Sequence, residues 1–332
     1  MTHFPSIQVR RALSLAVLLA LAAPAFAVST ITSITTTFTA GTASTSDGKT
    51  FDNNILALES IFVASSEYAI NSLADNVFVR RNSVNNNQSS VWYADSGTGT
   101  NLRGVYQATY DQILLNNNLF SGTDNTFANG TVVSTGNIER LDFTWTSGFV
   151  ADSSLVFAVF DRGVASAHDS FAIAAVTSID GSGNPTGFGS LLRIQANAWG
   201  NPNVLGNQDY RLFRYNNGSN LATTTADTER STQGLGGVLI SGADLGIADG
   251  TIIFGYALTA RDVTATTSAQ LLDWTNAAFY PTTTDGDTGG GGIDLASVNG
   301  LEVRLIPEPS TFAALSLGTV LLLGLKRRRR IG

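Results

Sequence analysis

The chain has 332 residues, with 19 basic and 26 acidic side chains, a formal charge of −7 and no cysteine. The missing thiols exclude a disulfide framework and a thiolate metal site, and the acidic balance argues against nucleic acid or anionic lipid, which need a basic surface. Only 14% of the residues are charged, so Thr, Ser, Asn and Gly must cover the surface, a usage common in exported β-proteins.

The N-terminus reads as a secretory signal. Arg10 and Arg11 form a basic start, Ala12 to Ala23 is an apolar run of Leu, Ala and Val, and Ala25-Phe26-Ala27 is a small-x-small cleavage site. Cleavage by signal peptidase after Ala27, following passage through the Sec translocon, is the expected outcome. The paired arginines also admit a twin-arginine reading, with export of an already folded protein.

From residue 28 onward, strand signals dominate. Leu141 to Thr146 alternates apolar and polar strictly, as does Leu301 to Leu305, the pattern of half-buried strands. Leu155 to Phe160, Phe171 to Val176 and Ile252 to Leu258 are continuous apolar runs, the pattern of strands buried on both faces. Tyr210 to Tyr215 enters Asn216-Asn217-Gly218, whose Asn-Gly supplies the positive φ of a tight hairpin. Ser60 to Ala74 is assigned a short helix, Ser121 to Gly136 is a break without periodicity, and Thr282 to Asp294 is a glycine-rich excursion from which Leu295 to Leu305 returns as the last strand. About 280 residues can bury a core without covalent staples. The expected fold is all-β, an antiparallel β-sandwich of jelly-roll type occupying residues 28–306.

Chemistry is sparse along this stretch. His168 is the only histidine outside the signal peptide; His168-Asp169-Ser170 has triad residues in a row, but neighbours in a strand point to opposite faces, so a turn histidine is expected. Two carboxylates suffice for sugar hydrolysis, yet no pair stands out among so many acids, and no enzymatic activity is expected. Calcium is the candidate cofactor. Asp180, Ser182 and Asn184 alternate in one glycine-containing loop, and Asp285, Asp287 and Asp294 place oxygens in another, although neither has the glutamate of an EF-hand. Solvated turns account for both loops equally simply. Among the tryptophans, Trp145 alternates in a strand, whereas Trp199, in Ala198-Trp199-Gly200-Asn201, is the better candidate for an exposed platform stacking on a sugar, with core packing or loop anchoring the default for each.

The tail is the most specific segment. Pro307-Glu308-Pro309 precedes an apolar run from Thr311 to Leu325, and Lys326 with Arg327, Arg328, Arg329 and Arg330 follows. As a helix the run spans about 22 Å, short of a hydrocarbon core of about 30 Å, a gap that snorkelling arginines can close. The cations hold the terminus in the cytoplasm, so everything before the run faces outward. Without both signals, 7 of the 19 basic and 1 of the 26 acidic residues are lost, leaving 12 against 25 and a formal charge of −13.

These three parts, in this order, resemble the PEP-CTERM sorting signal of Gram-negative bacteria. The resemblance covers residues 307–332 alone. It implies that an exosortase recognises Pro307, Glu308 and Pro309, and that the protein passes through the inner membrane to the cell surface or extracellular matrix. It also implies an association with exopolysaccharide or biofilm, and hence a structural or adhesive role. A carbohydrate-binding module is the alternative, and a polysaccharide-acting enzyme the third.

Overall fold

The computed structural model describes residues 28–82, 89–97, 101–128, 138–163, 168–200, 203–216, 220–221, 229–282 and 292–307. The signal-peptide residues Ala25 and Ala27, the loop aspartates Asp285 and Asp287, and the tail from Glu308 onward, including Pro309, the apolar run and Arg327 to Arg330, lie outside the described residues.

The first half of the chain contributes β1 (Ser29–Thr30), β2 (Ser33–Thr39), β3 (Ser44–Ser46), β4 (Lys49–Phe51), β5 (Ile55–Val63), β6 (Ser66–Leu73), β7 (Asn76–Arg81), β8 (Ser89–Ala94) and β9 (Asn101–Leu102). After the one-turn helix α1 (Tyr110–Leu114) come β10 (Ser121–Asp124), β11 (Ile138–Val150), β12 (Leu155–Gly163), β13 (Phe171–Ile179), β14 (Pro185–Phe188) and β15 (Leu192–Ile194). A 3-10 turn, Ala196–Trp199, leads to β16 (Gln208–Asn216), β17 (Asn220–Leu221), β18 (Glu229–Ser241) and β19 (Ile252–Ala260), then α2 (Ser268–Leu272) and β20 (Leu301–Leu305). The fold is all-β, and every strand pairing among the described residues is antiparallel apart from the short β4–β9 contact.

Two large sheets carry the architecture. One follows the order β10-β8-β16-β18-β12-β20-β6-β5-β2, and the other β14-β13-β19-β11-β7. The continuous apolar runs are explained by what lies on either side of β12. Leu155, Phe157 and Val159 join a core shared with Phe143, Ile173, Tyr256 and Leu258 of the second sheet. Val156, Ala158 and Phe160 point the other way, into a second core with Trp92, Tyr210, Leu58 and Ile61. Alternation therefore persists, but both of its phases are buried.

The second core joins residues from strands far apart in the large sheet, which curls until its ends meet. Asn117 and Asn118 close it: Asn118 Oδ1 accepts from Leu56 N (3.1 Å), Asn117 Oδ1 accepts from Leu58 N (3.1 Å), and Leu119 N donates to the Leu56 carbonyl. These side-chain amides replace a missing strand partner for the first half of β5, satisfying backbone donors that burial would otherwise strand.

The expected strands 141–146, 155–160, 171–176 and 252–258 all form, and the last, expected from Leu295, runs only over Leu301–Leu305. The helix assigned to Ser60 to Ala74 does not form. That segment is the β5–β6 hairpin, turning at Ala64 with φ of 52°, and Ser60 bonds Thr35 across to β2 at 2.6 Å. The β-branched and aromatic residues Ile61, Phe62, Val63, Tyr68 and Ile70 favour the pleated surface, and cross-strand partners on both sides decide the outcome. Ser121 to Asp124, inside the expected break, is a buried strand.

Candidate functional site

The densest concentration of buried charge sits where β12 ends. Asp161 and Arg162 directly extend the apolar run of that strand, and both are almost fully buried. Arg162 Nη2 donates to Asp124 Oδ1 at 2.7 Å and to Asp294 Oδ2 at 2.6 Å, while Nη1 reaches Gln233 Oε1. Its guanidinium lies 5.4 Å from the Trp92 ring centre and 5.2 Å from that of Tyr210, two rings that meet edge-on at 4.8 Å. One cation thus ties β8, β10, β12, β16, β18 and the returning segment at Asp294 into one cluster.

Asp161 does the same on the other face of the strand. Its Oδ1 accepts from Asp294 N (2.8 Å), and its Oδ2 accepts from Asp169 N (3.1 Å) and lies 3.0 Å from His168 Nδ1. Burial pushes the Asp294 carboxyl well above the usual carboxylate range, the charges of Asp124 and Asp161 push the same way, and Arg162 opposes them. Desolvating these ions costs several kcal/mol each, and only the shared hydrogen bonds offset it. With no exposed face, the cluster can hold strands together but cannot receive a substrate.

Trp199 is buried with no exposed surface, which removes it as a candidate exposed platform and leaves the default reading of core packing. Its Nε1 donates to the Asp169 carbonyl at 2.8 Å, and its ring packs 5.3 Å from His168 and 5.6 Å from Phe171. The glycine and asparagine that follow it suggested a surface loop; the short 3-10 turn instead folds the indole inward. His168 is likewise buried beside Trp199 and Asp161.

The Asp180 loop joins β13 to β14. Asp180 Oδ1 accepts from Ser182 N (2.8 Å) and Asn184 N (3.0 Å), bonds that hold its carboxyl below the usual range. Asn184 Oδ1 accepts from Arg80 Nη2 at 3.0 Å. The oxygens proposed as calcium ligands are thus engaged in turn geometry and in an arginine contact. Asp294, assigned to the other calcium loop, is committed to Arg162 and to Asn125 N (2.7 Å). Among the described residues, no group of three or more His, Cys, Asp or Glu is arranged to hold a metal.

A second charged cluster stands on the other sheet. Arg140 binds Asp142 through Nε (2.5 Å) and Nη2 (3.1 Å), and Arg80 Nε binds the same carboxylate at 2.9 Å. Trp274 lies within 5.0 Å of the Arg80 guanidinium and 5.4 Å of that of Arg140. A groove of about 280 Å³ runs beside the edge strand β7, between residues 77–81 and Tyr110 with Asp111 of α1. Its arginines are engaged, Arg80 with Asp142 and Arg81 against the Tyr110 ring at 5.5 Å.

Sequence reasoning passed over Asp124, Asp161, Arg162, Arg140 and Asp142. The signal was available for two of them: a charged Asp-Arg pair continuing an apolar strand must be paired inside the protein. The partners, remote in sequence, were not. The chain matches no family model, and neither curated proteins nor solved structures show a match to it.

Proposed function

We propose that residues 28–306 form an exported structural or adhesive domain of the cell surface or extracellular matrix, delivered there by an exosortase acting on the Pro307-Glu308-Pro309 tail. The observation that carries this reading is where the fold ends. β20 is an inner strand, flanked by β12 and β6, and it leaves the sheet at Leu305. Ile306 N still donates to the Glu67 carbonyl at 2.8 Å, and Pro307 is already exposed. The last strand therefore delivers the chain to the surface at Pro307, the first residue of the motif, which is where a sorting enzyme that reads extended chain needs it.

The core shared by the two large sheets supports a sandwich of jelly-roll type as the finer description of the fold. A rigid, acidic, cysteine-free body whose conspicuous charges are spent on internal ties suits a scaffold better than a catalyst. Exopolysaccharide is the partner this reading implies. Calcium, through Asp285 and Asp287, is the ionic component it admits, and melting in EDTA against millimolar calcium decides that point.

The test is replacement of Pro307, Glu308 and Pro309 together by alanine. Unprocessed precursor should accumulate in the membrane fraction on immunoblots, with the domain still folded. Normal processing of that variant would remove the sorting reading.

A further inference from the structure

Several exposed apolar side chains gather at the end of the domain from which the tail leaves. Val150 and Ile252 are cross-strand partners at the end of β11 and the start of β19, 52% and 54% exposed. Arg304 Nη2 donates to the Val150 carbonyl at 3.1 Å, which places the last strand beside them. Leu305 and Ile306, also exposed, complete the chain's exit. The turns around them belong to the same end: Ala151 N donates to the Thr251 carbonyl, Leu305 N to the Ser154 carbonyl and Ile306 N to the Glu67 carbonyl.

Four residues, 307–310, separate Ile306 from the apolar run that begins at Thr311. Fully extended they span at most about 14 Å. The headgroup layer on each side of a hydrocarbon core is about 5–8 Å thick. While the run is in the bilayer, the exit end is held within a short step of the lipid surface, and Val150 and Ile252 lie on it.

We infer that this exit face is a membrane-docking surface, with the outer leaflet as its partner before the tail is removed. The inference rests on the reading of residues 311–325 as a membrane span. Charge specifies the lipid. Asp152 is neutralised by Arg304 at 3.0 Å, but exposed Asp249 and nearby Glu67 would repel an anionic surface, so the headgroups that fit are zwitterionic. Docking would orient the domain and present the Pro307-Glu308-Pro309 segment at the height of the interface, where a membrane-embedded processing enzyme must work.

The absence of cysteine makes each engineered thiol a unique label site. Three variants of the chain extending to Gly332, Ile252→Cys, Phe38→Cys and Leu321→Cys, would carry an environment-sensitive fluorophore and be reconstituted in phosphatidylethanolamine-rich vesicles containing headgroup-depth nitroxide lipid. Phe38 pairs with Leu56 at the opposite end of β5 and serves as the far control. The label at position 252 should shift to shorter wavelength and be quenched, the label at 38 should behave as in water, and the label at 321 should report hydrocarbon. A tail label in hydrocarbon with a 252 label in water would overturn the docking surface while leaving the span intact. A tail label in water would overturn the span, and the docking surface with it.

Discussion

Arg162 is a single side chain on which two buried carboxylates depend. Replacing it with methionine keeps the volume but leaves Asp124 and Asp294 without a cation, so chemical denaturation should show a loss of about 3–5 kcal/mol. The same exchange at Arg304, which pairs with half-exposed Asp152 and with buried Glu302, should cost less, about 1–2 kcal/mol, because Glu302 keeps its hydrogen bonds from Asn71 and Ser72. Equal losses at the two positions would mean that the Arg162 cluster does not tie the strands together. Asp294 gives a prediction with a definite sign in pH. Its folded-state pKa is raised by burial, so its contribution to stability is fully present below the ordinary carboxylate value and is lost as pH rises through the raised one. An asparagine side chain at this position mimics the protonated form. The stability of Asp294→Asn relative to the native chain should therefore increase from about pH 4 toward neutrality. Parallel stability curves across that range would show that burial does not set this carboxyl.

At the scale of elements, β20 decides where the domain ends. It pairs on both sides, Val303 opposite Val156 and Ile70, and Leu301 and Val303 are buried. A chain spanning residues 28–306 should melt at the temperature of one spanning residues 28–332, whereas one ending at Gly300 should fail to fold, as circular dichroism would show. Folding of the shorter chain would contradict the inner position of β20. The strands that could be read directly are those whose periodicity is local: Leu301 to Leu305 alternates, and Phe171 to Val176 does not because both its faces are covered. The β5–β6 hairpin was misread as a helix because its pairing with β2 and β20, not its own pattern, determines its conformation. Trp199 was singled out wrongly for a related reason. Its neighbours have loop composition, but its environment is built by His168 and Phe171 from another part of the chain. The Arg162 cluster stayed hidden because its members are remote in sequence, Asp294 lying 132 residues from Arg162.

For the whole molecule, the proposed function assigns the address to the two ends of the sequence and the scaffold to the body between them. The body is all-β, acidic and internally tied, and its last strand ends at Leu305, two residues before Pro307. If both ends are processed, protein recovered from the cells that make it should have an intact mass corresponding to a start at Val28 and to loss of the segment from Lys326 to Arg330. A mature pool that still carries those five cations would contradict processing by an exosortase, reducing the tail to a plain membrane anchor.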